Sequence, residues 1–243
     1  MTGIRRNVMF EIWSSLLAGL GTLFGAAAVL AARPARRTLA FFMGLASAVM
    51  VAVVCADLVP TALLFGGTSF TVGGVLAGIV AVAFMDLRLG TVLGASRSGY
   101  LRTGVLVTLG IALHDFPEGL AIAAGFAAKH NLGLLMALAI GMHNVPEGMA
   151  TAAPLRAAGV SPARILLINA ALSLVTPLGT LAGMLITRTT AHSISVLSAA
   201  AAGAMLYIVV FELLPRSLSE GTLSALRGMA AGLLFFAVLC LFL

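Results

Sequence analysis

His114-Asp115-Phe116-Pro117-Glu118-Gly119 stands inside an apolar run at 102–128, and His143-Asn144-Val145-Pro146-Glu147-Gly148 stands inside the next, at 132–156. Each member of the first motif has its counterpart 29 residues later. About 20 apolar residues suffice for an α-helix to cross a bilayer, so both motifs fall within candidate membrane spans. An ionisable side chain near the bilayer centre costs about 2.5–3.5 kcal/mol on insertion scales, and two matched sets of them need a reason. In each copy His and Glu are four positions apart, one turn apart on one helix face. Asp115 and Asn144 lie three residues before their Glu, on the same side. Consecutive spans run antiparallel, so the motifs can face each other at similar depth. Pro117 and Pro146 cannot donate to the carbonyls of Leu113 and Met142, and their rings are expected to push that turn open. Freed carbonyls at that depth are tolerated only where protein or a water-filled cavity satisfies them.

The surrounding chain has the same character. Of 243 residues, 61% are hydrophobic and 9% charged, against about a quarter charged in soluble domains. Eight apolar runs are long enough to span, approximately 11–32, 38–60, 70–90, 102–128, 132–156, 162–187, 193–215 and 224–243. Short connections such as Arg33-Pro34, Gly66-Gly67 and Ser161-Pro162 punctuate them. The expectation is an all-α integral membrane protein forming one domain over 1–243. A basic stretch precedes the first run, but that run lacks a small-residue cleavage site and is long enough to span, so it reads as the first helix rather than a signal peptide. Cys55 and Cys240 lie in apolar segments and read as buried filler, with no disulfide framework.

The net charge of +6 does not call for a nucleic-acid partner, because the arginines fall in short loops rather than on one face. Arg33, Arg36, Arg37, Arg88, Arg97, Arg102, Arg156, Arg164, Arg216 and Arg227 follow the odd-numbered spans; Arg5, Arg6, Lys129 and Arg188 lie on the other side. That asymmetry places the odd-numbered loops in the cytoplasm and both termini outside. Among the acidic residues, Asp115, Glu118 and Glu147 lie well inside spans, and Asp57 and Glu212 lie near span ends. Glu11, Asp86 and Glu220 fall where water can reach them.

Two imidazoles, three carboxylates and one amide suit a divalent transition metal, Zn²⁺ first, with Fe²⁺, Mn²⁺, Co²⁺ or Cd²⁺ close behind. A lone His–Glu pair often does no more than tie two helices together; two copies in register argue for a metal site. A through-pathway for metal ions is one reading. A membrane-bound di-metal redox enzyme or hydrolase using the same ligands is the alternative.

On these motifs the chain resembles the ZIP (Zrt-/Irt-like) family of metal transporters, and most nearly its bacterial ZupT-like branch, because both helices carry H-x-x-P-E-G. The segment Ala202-Gly-Ala-Met-Leu-Tyr207 leading to Phe211-Glu-Leu-Leu-Pro215, and Ala56-Asp-Leu-Val-Pro60 at the end of the second span, carry the resemblance further. It implies eight spans in a 3+2+3 inverted repeat. It also implies that His114, Glu118, His143 and Glu147 line one metal position, with both Glu bridging to a second that Asp115 and Asn144 join. Met50 falls where some members contribute a thioether, and Asp57 and Glu212 where the family has acidic residues near the pathway mouths. Three departures stand out. Asp115 occupies a position that is usually Asn. Thr176 occupies one that is usually Glu, although Asn169, Ser173 and Thr176 still give the sixth span a polar face. The loop before the fourth span has no His. His130 and His192 read as surface residues.

The expected function is uptake of divalent metal into the cytoplasm across the cell inner membrane, with the metal as cargo and no catalytic cofactor. No nucleotide-binding motif appears, so ATP hydrolysis by this chain is not expected. Family resemblance also implies elevator-like movement of the ion-carrying helices and a homodimer.

Overall fold

The computed structural model describes residues 8–32, 35–93, 99–185 and 191–242. Arg5, Arg6, Arg33, Pro34, Arg97 and Arg188, and the last residues of the sixth and eighth expected spans, lie outside the described residues. Among those described, every regular element is helical. In chain order they are α1 (Val8–Ala31), α2 (Arg36–Val53), a π-helical segment (Val54–Leu58), α3 (Val59–Leu93), α4 (Gly99–Ala128), α5 (His130–Ala157), α6 (Pro162–Leu172), α7 (Val175–Leu185), α8 (Ala191–Tyr207), a second π-helical segment (Ile208–Leu213) and α9 (Leu214–Phe242).

Among the described residues, five helical stretches are long and apolar enough to cross a bilayer: Val8–Ala31, Arg36–Val92, Gly99–Ala128, Pro162–Leu185 and His192–Leu241. The second has 57 residues. Straight, it would be about 85 Å long at 1.5 Å per residue, far more than one hydrocarbon core. Gly67 breaks it with φ 69°, a left-handed conformation that glycine adopts without a Cβ clash. The chain doubles back there, because Ala62 and Phe70 on either side both reach one stretch of α8. The Ser195 hydroxyl donates to the Ala62 carbonyl at 2.7 Å, and the Phe70 ring lies 4.6 Å from that of His192. Gly221 interrupts α9 in an extended conformation with φ 164°, and the chain turns there too: Ser217 before it donates to the Ala40 carbonyl, and Ala225 beyond it packs on Gly44 of α2. The expected connections at 61–69 and 216–223 are thus helical apart from a single glycine each. Helix is the cheapest way to satisfy backbone groups near a membrane.

α5, with 28 residues, is long enough to span but is diluted by the polar groups of its motif. The sixth expected span is not continuous. It breaks at Ser173–Leu174, one turn before Pro177, whose ring and missing N–H disrupt the preceding turn. By contrast, α4 and α5 run on through Pro117 and Pro146 as α-helix, so the opening expected there does not occur. One lost ladder bond is absorbed without leaving helical geometry.

The two π-helical segments hold Asp57 and Glu212, and each is followed by a proline three residues after the acid, Pro60 and Pro215. A widened turn takes up the register error that a donor-less residue creates.

The helices sort into two groups by packing: α1, α4, α5, α6 and α7, and α2, α3, α8 and α9. Small residues let backbones touch within each group. A Cβ on Gly25 of α1 would stand 1.9 Å from the Val145 carbonyl oxygen of α5, and one on Gly119 of α4 would stand 2.0 Å from that of Thr176. Gly78 and Gly203 do the same between α3 and α8. Outward-facing side chains are apolar, including Trp13, Leu17 and Phe24 on α1 and Leu76, Val80 and Leu87 on α3. Lipid, not water, is the solvent they suit. Cys55 and Cys240 are likewise exposed rather than buried: an apolar helix surface facing lipid needs no protein cover, and Cys240 lines a cavity.

These contacts give a sharp contrast between two glycines. Gly25→Ala should destabilise the detergent-solubilised protein by about 1–3 kcal/mol through overpacking. Gly73→Ala, where an added Cβ meets nothing within 4 Å, should be neutral or stabilising, since Ala is the better helix former by about 1 kcal/mol. Thermal unfolding of both variants checks this; equal shifts would contradict the packing described.

Candidate metal centre

The two motifs meet across α4 and α5. His114 Nε2 lies 2.9 Å from Glu147 Oε1, and His143 Nε2 lies 2.8 Å from Glu118 Oε1, so each imidazole pairs with the other helix's carboxylate. The four-residue spacing explains the cross-pattern. It puts His and Glu on one face a turn apart, and antiparallel helices then set each His beside the opposite Glu. His114 Nδ1 lies 3.3 Å from the Gly110 carbonyl, which leaves Nε2 as the nitrogen aimed at the carboxylates. Asp115 Oδ1 is 3.4 Å from His114 Nε2.

Water is nearly excluded. His114, Asp115 and Asn144 are 0% exposed, Glu147 1%, and Glu118 6%. Yet both oxygens of Asp115, Oε2 of Glu118 and of Glu147, Oδ1 of Asn144 and Oγ1 of Thr176 have no hydrogen-bond partner among the described residues. Buried acceptors are normally satisfied, and a cluster of orphaned ones calls for a cation. Ligand atoms of His114, Asp115 and Glu118 all lie within 4.8 Å of one another, as do those of Glu118, His143 and Glu147. Glu118 belongs to both sets.

Neighbouring helices hold the frame. The Asn144 side-chain amide donates to the Ala18 carbonyl of α1 at 3.1 Å. Thr180 of α7 donates to the Gly119 carbonyl at 3.0 Å, so the turn after Glu118 is fixed from outside α4. Asn169 accepts from Thr151 at 2.6 Å and donates to the Ile165 carbonyl, and Ser173 donates to the Asn169 carbonyl. Met50 lies in the apolar core. Asp57 lines a cavity of about 310 Å³ together with Thr61, Glu118, His143, Ser198 and Cys240. A second cavity of about 290 Å³ shares Thr61, Pro117 and Ser198 with the first and extends to Phe65 and Leu132. Together they lead from the Glu118–His143 pair toward the end of the bundle holding Lys129. The His114–Glu147 pair is not part of either lining.

Glu212 does not stand at an open mouth. It accepts from Thr103 of α4 and lies 3.3 Å from Arg216. Two acids expected to be solvated are buried. Glu11 is 3% exposed with Oε2 unpartnered, and Asp86 is paired with Arg102 at 2.5 Å. Asp86 and Arg102 flank the connection between α3 and α4, and opposite charges near the ends of consecutive helices were the available signal.

A family model described as ZIP Zinc transporter matches residues 94–241, a stretch that includes α4 and α5 with both motifs. No curated protein matches the chain. With buried, paired His–Glu motifs on two helices, orphaned acceptors between them and that match over more than half its length, the chain belongs to the ZIP zinc transporter family and is an all-α, multi-pass membrane protein that transports divalent metal ions.

Proposed function

We propose that the chain takes Zn²⁺, and with it other first-row divalent ions as in the ZupT-like branch, into the cytoplasm across the cell inner membrane. The carrying observation is the pair of inter-helix His–Glu contacts with unsatisfied carboxylate oxygens between them. The ion travels down the cavity past Asp57, sheds water, and first meets Glu118 and His143, which face that cavity. Glu147, His114 and Asp115 lie behind and receive it next, and shared use of Glu118 lets two ions sit side by side. Asp115 supplies the negative charge that Thr176 cannot. Eight spans in a 3+2+3 inverted repeat account for the doubling back at Gly67 and Gly221 and for the matched π-helical segments. Arginines at the ends of α3 and α5 and at the starts of α2, α4, α6 and α9 support an orientation with those ends in the cytoplasm and the termini outside. Two such protomers pair as a homodimer. The group of α1, α4, α5, α6 and α7 carries the ion by sliding against the other group. A membrane-bound di-metal enzyme gains no support from the family match.

Purified protein in liposomes loaded with a zinc-sensitive dye tests this: influx is expected for Zn²⁺ over protein-free vesicles, and binding without influx of any divalent metal would defeat it. Because imidazole and carboxylate ligate only when deprotonated, binding releases protons and must weaken on acidification. Lowering the pH from neutral toward 5 should raise the Zn²⁺ dissociation constant measured by calorimetry, and a pH-independent constant would remove histidine and carboxylate from the site.

A further inference from the structure

Below the metal centre, toward the arginine-rich end, the bundle is shut by two layers. The first is apolar. Thr103, Val107, Gly110 and His114 recur at helical spacing on α4, and Ile208 fills the space over Gly110, its Cδ1 2.1 Å from where a Cβ would stand. Val107, Ile111, Met205 and Ile208 are all fully buried. The second layer is polar. Arg102 donates through Nε and Nη2 to Asp86 of α3 at 2.6 and 2.5 Å, and Tyr207 of α8 donates to the same carboxylate at 3.0 Å. One residue on, Thr103 donates to Glu212, which Arg216 also approaches. The Arg216 guanidinium lies over the Tyr100 ring at 5.2 Å, and Tyr100 donates to Glu220. The first turn of α4 is therefore fastened to α3, α8 and the second π-helical segment, all members of the other helix group. At its opposite end the same α4 faces that group across the cavities lined by Thr61, Pro117, Ala121 and Ser198.

We infer that Arg102, with Asp86, Tyr207, Thr103 and Glu212, forms a clasp that holds α4 closed at the arginine-rich end while the metal centre is open to the other. A bidentate guanidinium–carboxylate pair is directional, and here the carboxylate of Asp86 is buried while the Arg102 side chain is 38% exposed. It joins two groups that slide past each other in the proposed cycle, so it must break for the ion to leave by that side. Arg102 is a positioning residue: it sets which side the metal centre faces without touching the ion. This rests on the alternating-access reading above.

The test reads accessibility rather than flux, so the two readings fail separately. In a background with Cys55→Ser and Cys240→Ser, Ala121→Cys reports the open cavity and Val107→Cys reports the closed side. Each is labelled with a membrane-impermeant maleimide added to one face of oriented vesicles. With the clasp intact, Cys at 121 should label and Cys at 107 should resist. Asp86→Asn combined with Arg102→Gln removes both charges together, leaving neither buried alone. It should shift the balance on the order of tenfold, slowing labelling at 121 and speeding it at 107 from the arginine-rich face. The swap Asp86→Arg with Arg102→Asp should restore the original rates. Should the neutralised variant not stay monodisperse, Tyr207→Phe, which removes one hydrogen bond and strands no charge, should give the same directions at smaller size. Unchanged rates at both positions, or a Cys at 107 that labels readily with the clasp intact, would overturn the inference.

Discussion

Replacing Glu118 or Glu147 by alanine is expected to reduce Zn²⁺ uptake by more than about 100-fold, with the protein still folded. Losing even an outer-shell partner of a metal ligand costs 10–100-fold in affinity or activity, and each of these residues offers a carboxylate oxygen that nothing else satisfies. The two variants should differ in one respect. Glu118 lines the cavity and belongs to both ligand clusters, whereas Glu147 is sealed behind it. Glu118→Ala should therefore slow ion capture as well as weaken binding, and Glu147→Ala should mainly weaken binding. Initial uptake rates across a Zn²⁺ series, read beside calorimetric affinities, separate the two. Folding should survive, because two carboxylates of the cluster remain beside the histidines and the one removed carried an unsatisfied buried oxygen.

The second large effect concerns Asp115. Both its oxygens are buried and unpartnered, and Oδ1 stands 3.4 Å from His114 Nε2. Across the α4–α7 contact, Thr176 contributes a hydroxyl without a partner and no charge. If Asp115 supplies the negative charge of a second ion position, Asp115→Asn should lower the stoichiometry from two Zn²⁺ per chain to one and cut uptake several-fold, leaving the tighter site intact. The double variant Asp115→Asn with Thr176→Glu should recover the second ion. Equilibrium dialysis with elemental analysis reads the count directly, and wild-type stoichiometry in Asp115→Asn would remove this residue from the site.

The centre was legible in the sequence because helical periodicity links positions close along the chain. His and Glu four apart must share a face, and the 29-residue repeat placed the same face on the next helix. The cross-pairing of His114 with Glu147 and His143 with Glu118 then follows from antiparallel packing alone. The similarity of Ala56-Asp-Leu-Val-Pro60 to Phe211-Glu-Leu-Leu-Pro215 was visible too, and it appears as two π-helical segments.

Other features depend on partners that sequence order does not announce. Thr103 meets Glu212 across 109 positions, and Tyr207 meets Asp86 across 121. An acid near a helix end reads as solvated until the fold brings an arginine and a tyrosine to it. Proline misled in one place and not in another. Pro146 is buried, and Pro117 lines the cavities, yet α4 and α5 both run on as α-helix through them. Pro177 follows Ser173, whose carbonyl is pressed against Gly19 of α1, and there the helix gives way. Cysteine burial failed for a different reason: in a bilayer an apolar residue gains nothing further by turning inward, so hydropathy no longer separates core from surface.

The connection from site to transport runs through asymmetry. One His–Glu pair faces a cavity and the other is closed in, with an apolar plug and an ion-paired clasp beyond it. A site reachable from one side at a time is what an alternating carrier requires, whereas an open pore would have no clasp to break.

The most direct measurement is anomalous X-ray diffraction at the zinc absorption edge from crystals of the purified protein grown with Zn²⁺. A strong peak is expected between α4 and α5, with Glu118 and Glu147 oxygens and His114 and His143 nitrogens at about 2.0–2.2 Å, the distances usual for zinc. A zinc peak elsewhere in the bundle, with none between those four side chains, would contradict it.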